Sequence, residues 1–160
     1  MPESERISST RVIAAPASRI YALVSSPSGH VQIDGSGMLL ASPDSEPVKA
    51  VGDTFDMHMD RKPLGDIELD LYDVTVVITN IEQDRWVEWS VADKRNGGIW
   101  GHVYGYQLNP VSDTETEVTS YCDWSGLPER RKARASFPVV PLSMMVKSLD
   151  NLEQIVTAKP

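Results

Sequence analysis

The chain has 160 residues, which fits one domain and leaves little room for two, and its 41% hydrophobic and 24% charged residues are ordinary for a globular protein. Its formal net charge of −8 repels phosphate backbones and anionic lipid surfaces, so nucleic acid and membrane surfaces are disfavoured as partners while a neutral ligand is not. A single cysteine, Cys122, excludes an internal disulfide and a Cys-rich zinc site.

Met1 to Thr10 is polar and lacks the apolar core of a signal peptide. No run approaches the roughly 18 apolar residues needed to span a bilayer. The expectation is a cytoplasmic protein with no stable membrane insertion. No internal repeat or low-complexity tract is present.

Glu5 to Ala14 alternates as a first strand. Pro16 then opens a helix, since its fixed φ suits the first helical position, and Ala17, Ile20, Tyr21 and Val24 keep helical spacing. Ser26-Pro27 repeats the start signal for a shorter helix to Ile33, closed by Gly35 and Gly37. Met38 to Ala41 is a short strand, and Ala41 to Val51, with Pro43 and Pro47, is a loop. Thr54 to Asp60 and Leu69 to Ile81 follow as strands, the second β-branched from Val74 to Ile78. Arg85 to Ala92 is a strand with Val87, Trp89 and Val91 on one face. Asn96-Gly97-Gly98 is a turn signal. Trp100 to Asn109 places Trp100, His102, Tyr104, Tyr106 and Leu108 on one face. Thr114 to Trp124 is the last strand.

Pro128 to Ala135 carries helix formers and the basic residues Arg130, Arg131, Lys132 and Arg134, which read as a solvated helix face or a lid segment. After Pro141, Leu142, Met145, Val146, Leu149, Leu152 and Val156 recur every three or four residues. They form the wide apolar stripe of an amphipathic helix from Leu142 to Thr157, about 24 Å long at 1.5 Å per residue.

The order β-α-α, six further strands, then a helix predicts an antiparallel sheet with its helices on one face. Several phrases resemble the START-like (SRPBCC) superfamily and, within it, the polyketide cyclase/dehydrase group. They are Ala14-Ala15-Pro16 leading into Ile20 to Val24, Val51 to Phe55, Arg85 to Trp89, Gly98 through Tyr106 to Pro110, and Thr116 to Trp124. The resemblance covers about Glu5 to Val156. It implies a helix-grip fold: a curved antiparallel sheet of about seven strands around the long C-terminal helix, closed by two short helices, with an apolar cavity between sheet and helix.

The residues expected to face that space are Met38, Phe55, Met57, Trp89, Trp100, Tyr104, Tyr106, Met144, Met145 and Leu149. Aromatic rings and adaptable methionines suit a flat or greasy ligand; periodicity alone allows them equally to fill a core. Candidate proton donors or acceptors are His102, on the aromatic face, and Tyr121 and Asp123, which enter the cavity if they, and not Val118 and Cys122, point inward. His30 and Asp34, four apart on a short helix, are the other candidates, able to pair. The alternative for each is a hydrogen-bonded core or surface role.

His58 alternates against Met57 and Met59 and is expected to face solvent. The histidines show no HxH or HExxH spacing and the glycines no GxGxxG, so neither a metal site nor a cofactor is expected. Two classes of function remain open. One is binding or transfer of a small hydrophobic molecule, such as a lipid, polyketide or isoprenoid-like compound. The other, implied by the resemblance, is a cyclase or aromatase working by enolisation, aldol closure and loss of water. A protein-partner module would need an apolar patch on the sheet, for instance around Trp86 and Tyr72.

Overall fold

The structure, a computed structural model, describes residues 5–93, 98–133 and 137–158. Asn96 and Gly97 of the predicted turn, and Arg134 and Ala135 of the basic segment, lie outside the described residues. The strands are β1 (Arg6–Ile13), β2 (Leu39–Ala41), β3 (Thr54–Asp60), β4 (Leu71–Glu82), β5 (Trp86–Asp93), β6 (Ile99–Ser112) and β7 (Glu115–Asp123). Helices α1 (Ala17–Val24) and α2 (Pro27–Ile33) follow β1, and the single-turn α3 (Glu129–Lys132) and long α4 (Leu142–Thr157) follow β7.

The strands form one seven-stranded sheet in the order β1-β7-β6-β5-β4-β3-β2, and every neighbouring pair is antiparallel. Register shifts interrupt the ladders at Ile78/Asn80, Ser90/Ala92 and Pro110/Ser112. Each such bulge bends its strand and increases the local twist, which curves the sheet toward the helices. Pro110 lies inside β6, beyond the predicted end at Asn109, and pairs with Thr116 next to one of these irregularities, where a missing N–H is tolerated.

The stripe of α4 packs into the hollow of the sheet through Met145, Leu149, Leu152 and Val156, all buried. Leu149, Leu152 and Val156 join Ile13, Ile20, Val24, Val87, Leu108 and Val118 in a dry core. Leu142, expected in the same stripe, is the first residue of α4 and is 42% exposed. Arg19 Nη1 donates to the Val156 carbonyl at 3.0 Å, satisfying one of the free acceptors at the end of α4. Arg11 ties β1 to the same helix through Asp150 at 2.8 Å and Glu153 at 3.2 Å.

Local start signals act largely as read. The Ser26 hydroxyl accepts from Gly29 N, with Pro27 in the first turn of α2, whereas Pro16 sits at the N-cap of α1, one position before the helix. The end of α2 is fixed directly to α4. Gly35 N donates to Ser148 Oγ at 2.8 Å, and Asn151 Nδ2 donates to the Ile33 carbonyl at 3.1 Å. A Cβ on Gly35 would stand 2.5 Å from Ser148 N, so only glycine permits this approach.

Candidate ligand-binding cavity

Alternation on the strands decides which side chains face α4. On β5, Val87 is buried in the core and Trp89 meets His30 of α2, so Trp86 and Glu88 point to the outer face. On β6, His102, Tyr104 and Tyr106 face inward and Gly105 outward. On β7, Thr116, Val118, Ser120 and Cys122 face inward and are all buried.

Between this inner face and the helices lies a cavity of about 530 Å³, within the ordinary range for small-molecule sites. Met57, Val74, Val76, Trp89, Tyr104 and Tyr106 form much of its wall, and α2 and α4 contribute His30, Met38 just beyond α2, Met145 and Ser148. Trp89 stacks near Tyr104 and Tyr106, at ring separations of 6.1 and 5.9 Å. At one end, Arg61, Asp66 and Ile67 from the β3–β4 loop meet Trp100, Phe137, Val139 and Val140. Ile67 is 52% exposed, which marks that end as the mouth.

Seven of the ten residues expected on the wall line it: Met38, Met57, Trp89, Trp100, Tyr104, Tyr106 and Met145. Phe55 and Leu149 belong instead to the packed core. Met144 is half-buried and lies off the wall, its backbone against Gly35. Helical geometry explains the last two. Met145 and Ser148 sit on the cavity side of α4, while Leu149 is rotated toward the dry core.

The proton-transfer candidates divide sharply. Tyr121 and Asp123 are on the outer face, because β7 pairs Ser8 with Tyr121 and Arg6 with Asp123 on the exposed side of β1. The Tyr121 ring lies over Gly105, where any Cβ would collide with it at 2.4 Å. Its hydroxyl accepts from Trp86 Nε1 at 2.8 Å and donates to Glu88 Oε2 at 2.5 Å. Asp123 accepts from the Ser125 amide and hydroxyl and faces Arg6 at 3.7 Å. Asp123 does not line the cavity; Tyr121 borders it, but its ring lies over Gly105 and its hydroxyl is bonded to Trp86 and Glu88 on the outer face.

His30 and Asp34 line the cavity but do not pair with each other. His30 Nε2 donates to the Val24 carbonyl at 2.7 Å, which fixes the proton on that nitrogen. Burial pulls its pKa down to about 4, against smaller opposing effects of the Val24 hydrogen bond and Asp34. Asp34 accepts from Ser36 N, Ser36 Oγ and Leu39 N, closing the turn after α2.

His102 lies on the wall toward the mouth, 6% exposed, with ring edges of Tyr104 at 5.4 Å and Phe137 at 5.0 Å. Burial first, then the Arg61 charge, lowers its pKa to about 4. Its Nδ1 has no hydrogen-bond partner, and no other buried side-chain nitrogen or oxygen among the described residues is left so.

The phenols are held neutral. Tyr104, hydrogen-bonded with Cys122, and Tyr106, hydrogen-bonded with Ser120 and Ser148, are both raised by burial. The Cys122 thiol is likewise pushed up to about 12 by burial. Near neutral pH the wall therefore offers neutral Tyr104 and Tyr106 phenols and neutral imidazoles, together with the Asp34 carboxyl beyond α2 and the Arg61–Asp66 ion pair at the mouth (2.7 Å).

Arg61, Asp66, Ser120, Ser148 and the 137–140 segment escape sequence reasoning. Arg61 follows β3 in a polar turn, and Phe137, Val139 and Val140 sit among prolines with no period. Tyr72 and Val91 carried a signal, since Tyr72 alternates with Val74 and Val76, and Val91 shares a face with Val87 and Trp89. Tyr72 lines the cavity and Trp86 lies on the outer face, so these two residues do not form the shared patch that would have favoured a partner module. His58 is exposed as expected and pairs with Asp73 at 2.6 Å. Among the described residues no group of three His, Cys, Asp or Glu side chains is placed to hold a metal, and no helix is long and apolar enough to cross a membrane.

Comparison with solved structures settles the architecture. Protein CV1439 from Chromobacterium violaceum superposes with a TM-score of 0.66 at 16% identity, over 99% of this chain and 100% of that one. The chain has the helix-grip fold. The same helix-grip fold is shared with ginseng major latex-like protein 151 from Panax ginseng, with TM-score 0.64, 13% identity, and coverage of 96% and 97%. Truncated norcoclaurine synthase from Thalictrum flavum has TM-score 0.62, 13% identity, and coverage of 100% and 99%. No family model matches the sequence. An uncharacterized protein of Mycobacterium tuberculosis, Rv0088, is 29% identical over 119 residues, which are 74% of this chain and 47% of that protein. The chain thus matches about half the length of that curated relative.

Proposed function

We propose that this helix-grip domain binds a small, predominantly apolar molecule between its sheet and α4. The observation that carries the reading is the cavity itself: about 530 Å³ of space walled mainly by methionine, valine and aromatic side chains. A filled core would close such a space, since unoccupied apolar volume costs stability. Lipids, polyketides and isoprenoid-like compounds all fit this description of the ligand.

The cyclase reading is less well supported. The fold is shared by a synthase and a latex-like protein, so it does not choose between catalysis and binding. A general acid or base works best with a pKa near the operating pH. Both cavity histidines sit near 4, and the two other acid/base candidates, Tyr121 and Asp123, face away.

Native mass spectrometry of the purified chain, followed by extraction of bound compounds, tests the proposal. A co-purifying apolar compound is expected, and Val91→Trp, which fills the cavity from β5, is expected to exclude it while the far-ultraviolet circular dichroism stays native. A mass free of ligand, with no gain in melting temperature across a panel of lipids and polyketides, would refute binding.

A further inference from the structure

Where α2 meets α4, the protons that could make hydrogen bonds are spent within the protein. His30 Nε2 gives its proton to the Val24 carbonyl at 2.7 Å. Ser148 Oγ gives its proton to the Met144 carbonyl at 3.2 Å and accepts from Gly35 N at 2.8 Å. The Tyr106 phenol is bonded with both Ser148 and Ser120. Since the Ser148 proton is engaged, Tyr106 donates to Ser148, and Ser120 donates to Tyr106. All four side chains border the cavity, and none has a proton left for an occupant.

Lone pairs are left over. With its proton on Nε2, His30 is an acceptor at Nδ1. Among the described residues only His102 Nδ1 is both sealed from water and unpartnered. His30 Nδ1 also has no partner in the protein, so it is not sealed, and it opens onto the cavity that its ring lines. Asp34, one helical turn on, also lines the cavity, and its carboxyl accepts from Ser36 N, Ser36 Oγ and Leu39 N of its own turn. No lysine or arginine among the described residues forms an ion pair with it, and its charge acts on both His30 and Tyr106. This corner of the wall is negative and accepts hydrogen bonds, while Arg61, elsewhere on the wall, is engaged by Asp66.

Resting on the binding reading above, we propose that the bound molecule carries a hydroxyl group where α2 meets α4, donating its proton to His30 Nδ1 beside Asp34 and Tyr106. Its apolar body lies against Met57, Val76 and Trp89, whose ring meets that of His30 at 4.6 Å. An ether or ketone oxygen at this point would bring lone pairs against lone pairs and find no donor. A hydrocarbon would cover the imidazole lone pair and leave it unsatisfied, which costs binding. A protonated amine could donate, but stripping a charge of water in an apolar cavity opposes it. The site thus selects a hydroxylated apolar molecule over its ether, ketone or hydrocarbon counterpart.

Matched probes test this by equilibrium dialysis at pH 7, with the bound compound measured by chromatography. The probes are 2-naphthol, 2-methylnaphthalene, in which a methyl replaces the hydroxyl, and 2-methoxynaphthalene, which keeps the oxygen and loses the proton. Naphthol is expected to bind about fivefold to tenfold tighter than either of the others, the range of one hydrogen bond. His30→Phe is expected to erase that preference. Nitrogen-15 NMR of the histidine side chains reads the same contact in the unmodified protein. The unprotonated Nδ1 resonance of His30 is expected to move toward the protonated range with 2-naphthol and not with 2-methylnaphthalene.

Equal affinity for naphthol and methylnaphthalene would overturn the inference and leave the cavity reading intact, with a resident water as the partner of His30. Binding of the methoxy compound as tight as that of naphthol would also overturn it, since the site would then be supplying a proton. A naphthol preference with an unmoved His30 resonance would overturn the assignment to Nδ1. Failure of all three probes to bind would remove the inference; a co-purifying apolar compound would then keep the binding reading, and a chain free of ligand would remove both.

Discussion

The Tyr121 phenol is buried on the outer face of the sheet, over Gly105, with Trp86 donating to it and Glu88 accepting from it. Thr79 and Asn80 donate to the same Glu88 carboxylate, so removing the hydroxyl disturbs a network tying β4, β5 and β7. Tyr121→Phe is expected to cost about 1–3 kcal/mol in urea denaturation and to leave ligand affinity unchanged; weaker binding with native stability would place the phenol in the cavity after all. The buried histidines predict a pH dependence. Asp34 opposes the shift of His30 and Arg61 adds to that of His102, and both are lowered from 6.5 to about 4, chiefly by burial. Between these values the unfolded chain takes up protons that the folded state refuses, so stability rises with pH across the window and is fully present above about 6.5. Each histidine is expected to cost about 2 kcal/mol between roughly pH 7.5 and pH 5. His102→Phe removes one share, and an unchanged slope of urea midpoint against pH in that variant would count against the assignment.

Helix α4 combines two functions along one stripe. Its C-terminal turns seal the dry core through Leu149, Leu152 and Val156, while Met145 and Ser148 border the cavity. Leu149→Ala is expected to destabilise the domain by about 2–5 kcal/mol. Leu142→Ala, at the exposed start of the same stripe, should stay within about 0.5 kcal/mol. Equal losses at both positions in urea titrations would mean that the first turn is packed. Gly35 holds α2 against this helix, and Gly35→Ala forces a methyl to within 2.5 Å of the Ser148 amide. That variant should lower both the melting temperature and ligand affinity, because Asp34 and Ser148 on the wall shift together.

For the whole molecule, the cavity couples binding to stability. A ligand that binds only the folded state, present at about 100 times its dissociation constant, should raise unfolding free energy by about 2.7 kcal/mol. Val91→Trp should abolish that gain under the same conditions, read as the shift in melting temperature with and without ligand. A gain that survives the substitution would locate binding elsewhere on the surface.

Strand alternation, the Ser26-Pro27 start signal and the α4 stripe were legible in the sequence because each depends on residues close along the chain. They determined the elements, the α+β class and which aromatic face of β6 turns inward. The direction of Tyr121 and Asp123 was not legible, because it depends on the register of β7 against β1 and on Gly105 across the sheet, contacts between residues far apart in the chain. The same holds for Arg61 and for Phe137, Val139 and Val140, which reach the mouth from loops without period. The lone Nδ1 of His102 is more remote still: a missing partner is a property of everything packed around an atom. Local spacing thus determined the shell of this protein. Only tertiary packing decided that the shell encloses a space, and which buried polar atom is left without a partner.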